Sequence, residues 1–182
     1  MKTNPNTDML MDQAVAYAEQ KMRELGHVPP VILGVTTGKP FVVMPDRLDD
    51  VAAKNAFANM ASLACVAHGA IGVAFIAEVW AATGGDIDTP PTEAFDRQEC
   101  VMISVEFIGG KMHQKLLPII RTDAGTFFGF GEAEVIKPDS VHGRFARFLP
   151  TELPSKAIRM AAGAILKTLG LLPTKPRKSK RW

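Results

Sequence analysis

Apolar positions along the chain change their spacing several times, and each change marks an element. Between residues 8 and 25, Leu10, Ala14, Tyr17, Ala18 and Leu25 fall near the helical period. Glu19 stands four residues before Arg23 and Gly26 supplies a stop, so the pattern predicts an amphipathic helix. "VPPVILGVTTGKPFVVMP" (28–45) sets two β-branched runs around Thr37-Gly38 and reads as a β-hairpin with prolines at its edges. Asp49 and Asp50 open a second helix, where carboxylates suit the positive end of the helix dipole. Its stripe of Ala53, Phe57, Met60, Leu63, Ala64 and Ala67 holds the helical period as far as "HGAIG".

From residue 71 the period falls towards two. Strands are expected at roughly 71–82, 99–109, 114–122 and 126–135. "GGKMH" and "DAG" form the turns between the last three. Pro and Ser punctuate residues 137–154, and 155–169 reads as a final helix stopped by Gly170 and Pro173. The order α-β-β-α-β-β-β-β-α predicts an α+β fold: one antiparallel sheet, hairpin plus meander, with helices packed against it. In element order alone it resembles small α+β binding folds of the profilin or roadblock kind, and no residue role is carried over from them. One domain is expected over 1–172, followed by a basic disordered tail at 173–182.

The apolar run at 60–82, "MASLACVAHGAIGVAFIAEVWAA", is long enough to cross a bilayer. His68, Gly69, Gly72 and Glu78 interrupt it and no basic cluster flanks it, so it reads as a helix running into a buried strand. No integral membrane association is expected. Composition changes the picture little, at 47% apolar and 22% charged, but charge distribution changes it more. Residues 1–136 carry 10 Lys/Arg against 17 Asp/Glu, and residues 137–182 carry 11 against 2. That split implies an interaction tail or two mutually attractive faces. Cys65 and Cys100 lie in apolar surroundings and the first residues contain no apolar leader, which predicts free thiols in a reducing cytoplasm.

Candidate chemistry centres on "AEVWAATGGDIDTPPTEAFDRQECV" (77–101). Strand alternation puts Ile76, Glu78 and Trp80 on one face of their strand, and Glu99 with Val101, Ile103, Val105 and Phe107 on one face of the next. A carboxylate on an apolar face needs a partner or a raised pKa. Arg97 is the nearest cation in sequence to both. Glu78, Glu99 and Arg97 are therefore the weak catalytic candidates of a small hydrolase-like or ligand-binding enzyme, with the 83–98 loop as its lid. The other reading is a structural Arg–Glu pair at the strand ends. Ile87 and Phe95 could make the loop an arm that docks on a neighbouring subunit, giving a purely structural oligomer.

Other motifs fall away. Counting from Asp86, a calcium loop is spoiled by Pro90, Pro91 and Arg97. "GVTTGKP" has one residue too few between its glycines for a phosphate loop, and a strand follows it. Cys65-x-x-His68 supplies two of the three or four ligands zinc needs, and Cys100 and His113 lie on different strands. Neither a metal nor a cofactor is expected. In "HGRFARF" (142–148), Phe145 and Phe148 are read as pinning a linker to the core. "TKPRKSKRW" gathers Lys175, Arg177, Lys178, Lys180 and Arg181 before Trp182, a set suited to phosphates and a stacked base. The leading expectation is a non-enzymatic cytoplasmic binding or assembly protein, a homo-oligomer whose tail has weak affinity for nucleic acid or another polyanion.

Overall fold

A computed structural model of the chain describes residues 5–45, 48–82, 95–110, 112–136, 145 and 147–170. Among the described residues three helices and seven strands follow one another: α1 (Pro5–Leu25), β1 (Val31–Val35), β2 (Phe41–Val43), α2 (Val51–His68), β3 (Gly72–Ala81), β4 (Gln98–Phe107), β5 (His113–Arg121), β6 (Phe127–Phe130), β7 (Glu134–Ile136) and α3 (Lys156–Thr168). The fold is α+β, with a single antiparallel sheet ordered β2-β1-β3-β4-β5-β6 and β7 also paired to β5. The apolar run at 60–82 is divided between α2 and β3, and among the described residues no helix is long and apolar enough to cross a membrane.

Local chemistry sets the boundaries. Asp50 caps α2 by accepting the Ala53 N–H at 2.6 Å, and Ser155 caps α3 by accepting from Ile158 at 3.3 Å. In the hairpin loop Thr36 Oγ1 accepts the Gly38 N–H and donates to the Lys39 carbonyl, closing the turn. Arg23 and Glu19 pair at 2.6 Å on the outer face of α1. The expected strand at 126–135 is two strands, both paired with β5. Ile119 pairs with Phe130 and Leu116 with Glu134, so one extra residue is accommodated opposite Leu117 and Pro118. Pro118 has no N–H for the ladder, and Gly131 instead donates to its carbonyl at 2.8 Å.

Each face of the sheet has its own core. On one face α1 lays Leu10, Met11, Ala14, Ala18 and Met22 over Val31, Ala74, Ile76, Val101, Ile103 and Val105. On the other, Phe57, Ala61 and Cys65 of α2 meet Ile32, Val73, Phe75 and Ala77, together with Phe145 and Phe148 from the segment before α3. The two phenylalanines do pin that segment to the core: their ring centroids lie 4.9 and 5.6 Å from that of Phe75. α3 packs on α2, so the layers run α1, sheet, α2, α3.

Two glycines in the sheet sit opposite phenylalanines, Gly34 against Phe41 and Gly72 against Phe107. A Cβ on Gly34 would come within 2.2 Å of the Phe41 ring, and one on Gly72 within 2.5 Å of the Phe107 ring. The absent side chains make room for the rings to lie over the backbone. Gly69 ends α2 in the left-handed conformation, φ 62° and ψ 48°, with Arg159 of α3 against it. Gly69→Ala is expected to destabilise the chain by about 1–2 kcal/mol, because only the backbone conformation is strained and the Arg159 side chain can move aside. Urea unfolding measures this, and an unchanged midpoint would contradict it.

Candidate functional site

β3 and β4 run past the end of β1. Val31 pairs with Ile76, but the residues before it are Pro29 and Pro30, which have no N–H to extend the pairing, whereas β3 and β4 stay paired to Ala81 and Gln98. The resulting two-stranded projection carries Glu78 and Glu99, and Arg97 immediately precedes its second strand. Glu78 lies opposite Val101 and Glu99 opposite Trp80, so the carboxylates are diagonal neighbours on the α1 face, a relation that spaces Cα positions by roughly 7–8 Å.

Both carboxylates carry structural contacts. Glu78 accepts the Val28 N–H at 2.7 Å, tying the α1–β1 connection to β3. Glu99 accepts from Arg121 Nε at 2.9 Å, and Arg121 Nη1 also reaches towards the Gly26 carbonyl at the end of α1. Arg121, from β5, thus meets Glu99 where the sequence pointed to Arg97. The Arg97 guanidinium lies over the Trp80 ring, 5.2 Å from its centroid. Trp80 is 41% exposed and Phe95, at the root of the arm, is fully exposed at 107%. Ile87 and the tail residues Lys175, Arg177, Lys178, Lys180, Arg181 and Trp182 lie outside the described residues. The geometry therefore gathers a stacked Trp–Arg pair, a free-standing phenylalanine and a part-buried ion pair at one end of the molecule. Such a surface can bind a partner through aromatic and cationic contacts.

A different carboxylate, outside the candidates that strand alternation singles out, is buried in the fold. Glu106 is only 7% exposed, on the opposite face of β4 from Glu99. Its Oε1 accepts the Phe148 N–H at 2.6 Å and the Leu149 N–H at 2.8 Å, which clamps the 147–149 segment to the sheet. Burial pushes its carboxyl above the ordinary value, against the lowering effects of those two bonds and of Arg147. On the same face Gln114 donates to Ser104 at 2.8 Å, also buried. Cys65, beneath them on α2, is pushed up to about 12 by burial, with the Glu106 charge adding to the effect. So high a value makes it a packed thiol rather than a nucleophile. A cleft of about 280 Å³ opens beside Glu106, with Arg147, Gly109, Gly110 and Thr151 in its walls. The signal was present in sequence as Met102, Ser104 and Glu106 at alternate positions, which looks like a solvent face until α2 and residues 145–149 cover it.

The remaining motif residues are accounted for by packing. His68 stacks on Phe41 with ring centroids 4.5 Å apart, and burial lowers its pKa. Cys100 is buried on β4 with its thiol pKa raised, chiefly by burial and further by Glu134. Both cysteines are free. A larger, mostly apolar cavity of about 380 Å³ lies between the start of α1 and the β1–β2 hairpin, lined by Met9, Val35, Pro40 and Ile71 among others. Comparison with protein-family models, with curated proteins and with solved structures returns no match.

Proposed function

We propose that the chain is a non-enzymatic binding or assembly protein of a reducing cytoplasm, a homo-oligomer whose cationic C-terminal end binds nucleic acid or another polyanion weakly and without sequence preference. The observation that carries this reading is the segregation of charge: from Leu153 to Trp182 the chain has 8 Lys/Arg and no Asp/Glu. A cationic segment of this kind neutralises phosphates by releasing counterions, a term independent of base sequence. The contacts of Glu78 and Glu99 favour binding over carboxylate catalysis, since each has a structural task. Exposed Trp80 and Phe95 favour assembly through the projecting end of the sheet.

The test is a titration of single- and double-stranded oligonucleotides by the full chain and by a 1–173 truncation. The full chain is expected to lose on the order of 100-fold in affinity between 50 and 200 mM salt if most tail cations engage phosphates. The truncation is expected to bind weakly at every salt concentration. Equal binding by the two at low salt would refute the tail's role. A monomeric mass in solution would remove the assembly half of the proposal.

A further inference from the structure

The cleft of about 280 Å³ beside Glu106 is bounded by the β4–β5 turn and by residues 147–151. In the turn Gly109 takes φ 69° and Gly110 donates to the Phe107 carbonyl at 2.9 Å, so this wall presents main chain rather than side chains. Glu106 is the buried charged group of the lining, and both amides that it holds go to Oε1; Oε2 takes neither. Ser104 and Gln114, the polar groups buried beside it, are already bonded to each other. Arg147 is exposed and also lines the cleft. Its charge acts on the Glu106 carboxyl, yet the two make no ion pair, so one small cleft holds two opposite charges that do not close on each other.

We propose that this cleft binds a free α-amino acid, whose ammonium group pairs with the Glu106 carboxylate and whose own carboxylate pairs with the Arg147 guanidinium. Charge selects the class. A ligand with only a positive charge is drawn to Glu106 and repelled by Arg147, and a ligand with only a negative charge meets the reverse. A zwitterion answers both at once. It also gives the buried carboxylate a charge-assisted hydrogen bond, which is stronger than those from neutral amides. Volume sets the size: the cleft falls just below the range of roughly 300–1,000 Å³ that holds drug-sized ligands, which suits a molecule as small as one amino acid. Thr151 adds a hydroxyl to the lining, and the glycine wall lets the ligand approach the main chain closely. This site is independent of the cationic tail, since every residue in it belongs to the folded body.

The experiment is thermal unfolding of the full chain with each of the common L-amino acids at about 10 mM, since a ligand that binds only the folded state raises the midpoint. Calorimetric titration then follows for those that do. For each binder, the matching amine without the carboxylate and the matching acid without the ammonium group serve as controls. At least one amino acid is expected to raise the midpoint and to bind with a dissociation constant of about 1 mM or tighter. Its amine and acid analogues are expected to bind about tenfold more weakly or worse. Glu106→Gln and Arg147→Gln are each expected to weaken binding by about the same factor. Arg147 is exposed, so its variant reads the site even should Glu106→Gln fold poorly. Binding unchanged in a folded Arg147→Gln variant overturns the assignment to this cleft. Equal binding by the amine or the acid analogue overturns the zwitterion. A midpoint unmoved by every amino acid overturns the proposal as a whole.

Discussion

Replacing Phe75 by alanine is expected to lower stability by about 3–5 kcal/mol, the range for truncating a fully buried phenylalanine. Phe75 is 1% exposed at the centre of β3 and belongs to the aromatic cluster that joins three parts of the chain. Its ring centroid lies 6.4 Å from Phe57 of α2, 4.9 Å from Phe145 and 5.6 Å from Phe148. Removing the ring forfeits its burial and leaves a cavity under α2 that the surrounding strands cannot collapse into. A domain of ordinary stability, roughly 5–15 kcal/mol, would lose much of its margin. Urea unfolding reads the loss directly. Because two of the three partners belong to residues 145–149, limited proteolysis should cut that segment faster in the variant. A loss below 1 kcal/mol would mean that the two faces of the sheet are not packed as described.

The second large effect is at Glu106. Glu106→Ala removes the acceptor of two amides, Phe148 buried and Leu149 half-buried. An unsatisfied buried donor costs about 1–3 kcal/mol, so the pair should cost about 3 kcal/mol, with water recovering part of the Leu149 share. Glu106→Gln keeps an acceptor of the same shape and should cost less. The two proteins with an acceptor separate with pH. Burial raises the folded carboxyl above its ordinary value, so the folded chain holds a proton at pH values where the unfolded chain has released it. The native advantage over glutamine is therefore complete below the ordinary carboxylate range and falls as pH rises through the folded value. Unfolding curves for both proteins across that range check the sign. A native advantage that grows with pH would show the hydrogen bonds and Arg147 outweighing burial.

Much of the fold was legible because it rests on local signals. Asp50 at the start of α2, Gly69 at its end and the spacing of Leu10, Ala14 and Ala18 each act within a few residues. The face assignments of Glu78 and Glu99 were legible for the same reason, since alternation along a strand is local. The partners were not. Arg121 meets Glu99 from 22 residues away, and that contact depends on the register of β4 against β5. Arg97 was nearer along the chain, but in the fold its guanidinium stacks on Trp80. Glu106 escaped because its bonds come from residues 42 and 43 positions on, in a segment with no periodic pattern. The division of the last strand was hidden for a related reason: its cause, Pro118, lies on the neighbouring strand.

The two glycine–phenylalanine pairs bear on how this sequence can change over time. Gly34 and Phe41, like Gly72 and Phe107, share one volume across a strand boundary, so neither member is free to vary alone. Enlarging the glycine first meets an aromatic ring, and shrinking the phenylalanine first exposes backbone. The viable route is a simultaneous or compensated exchange, in which a methyl gained on one strand is matched by ring volume lost on the other. Positions 34 with 41 and 72 with 107 should therefore drift as linked pairs in any descendants of this chain, a mark of common ancestry that would survive after most individual residues had changed.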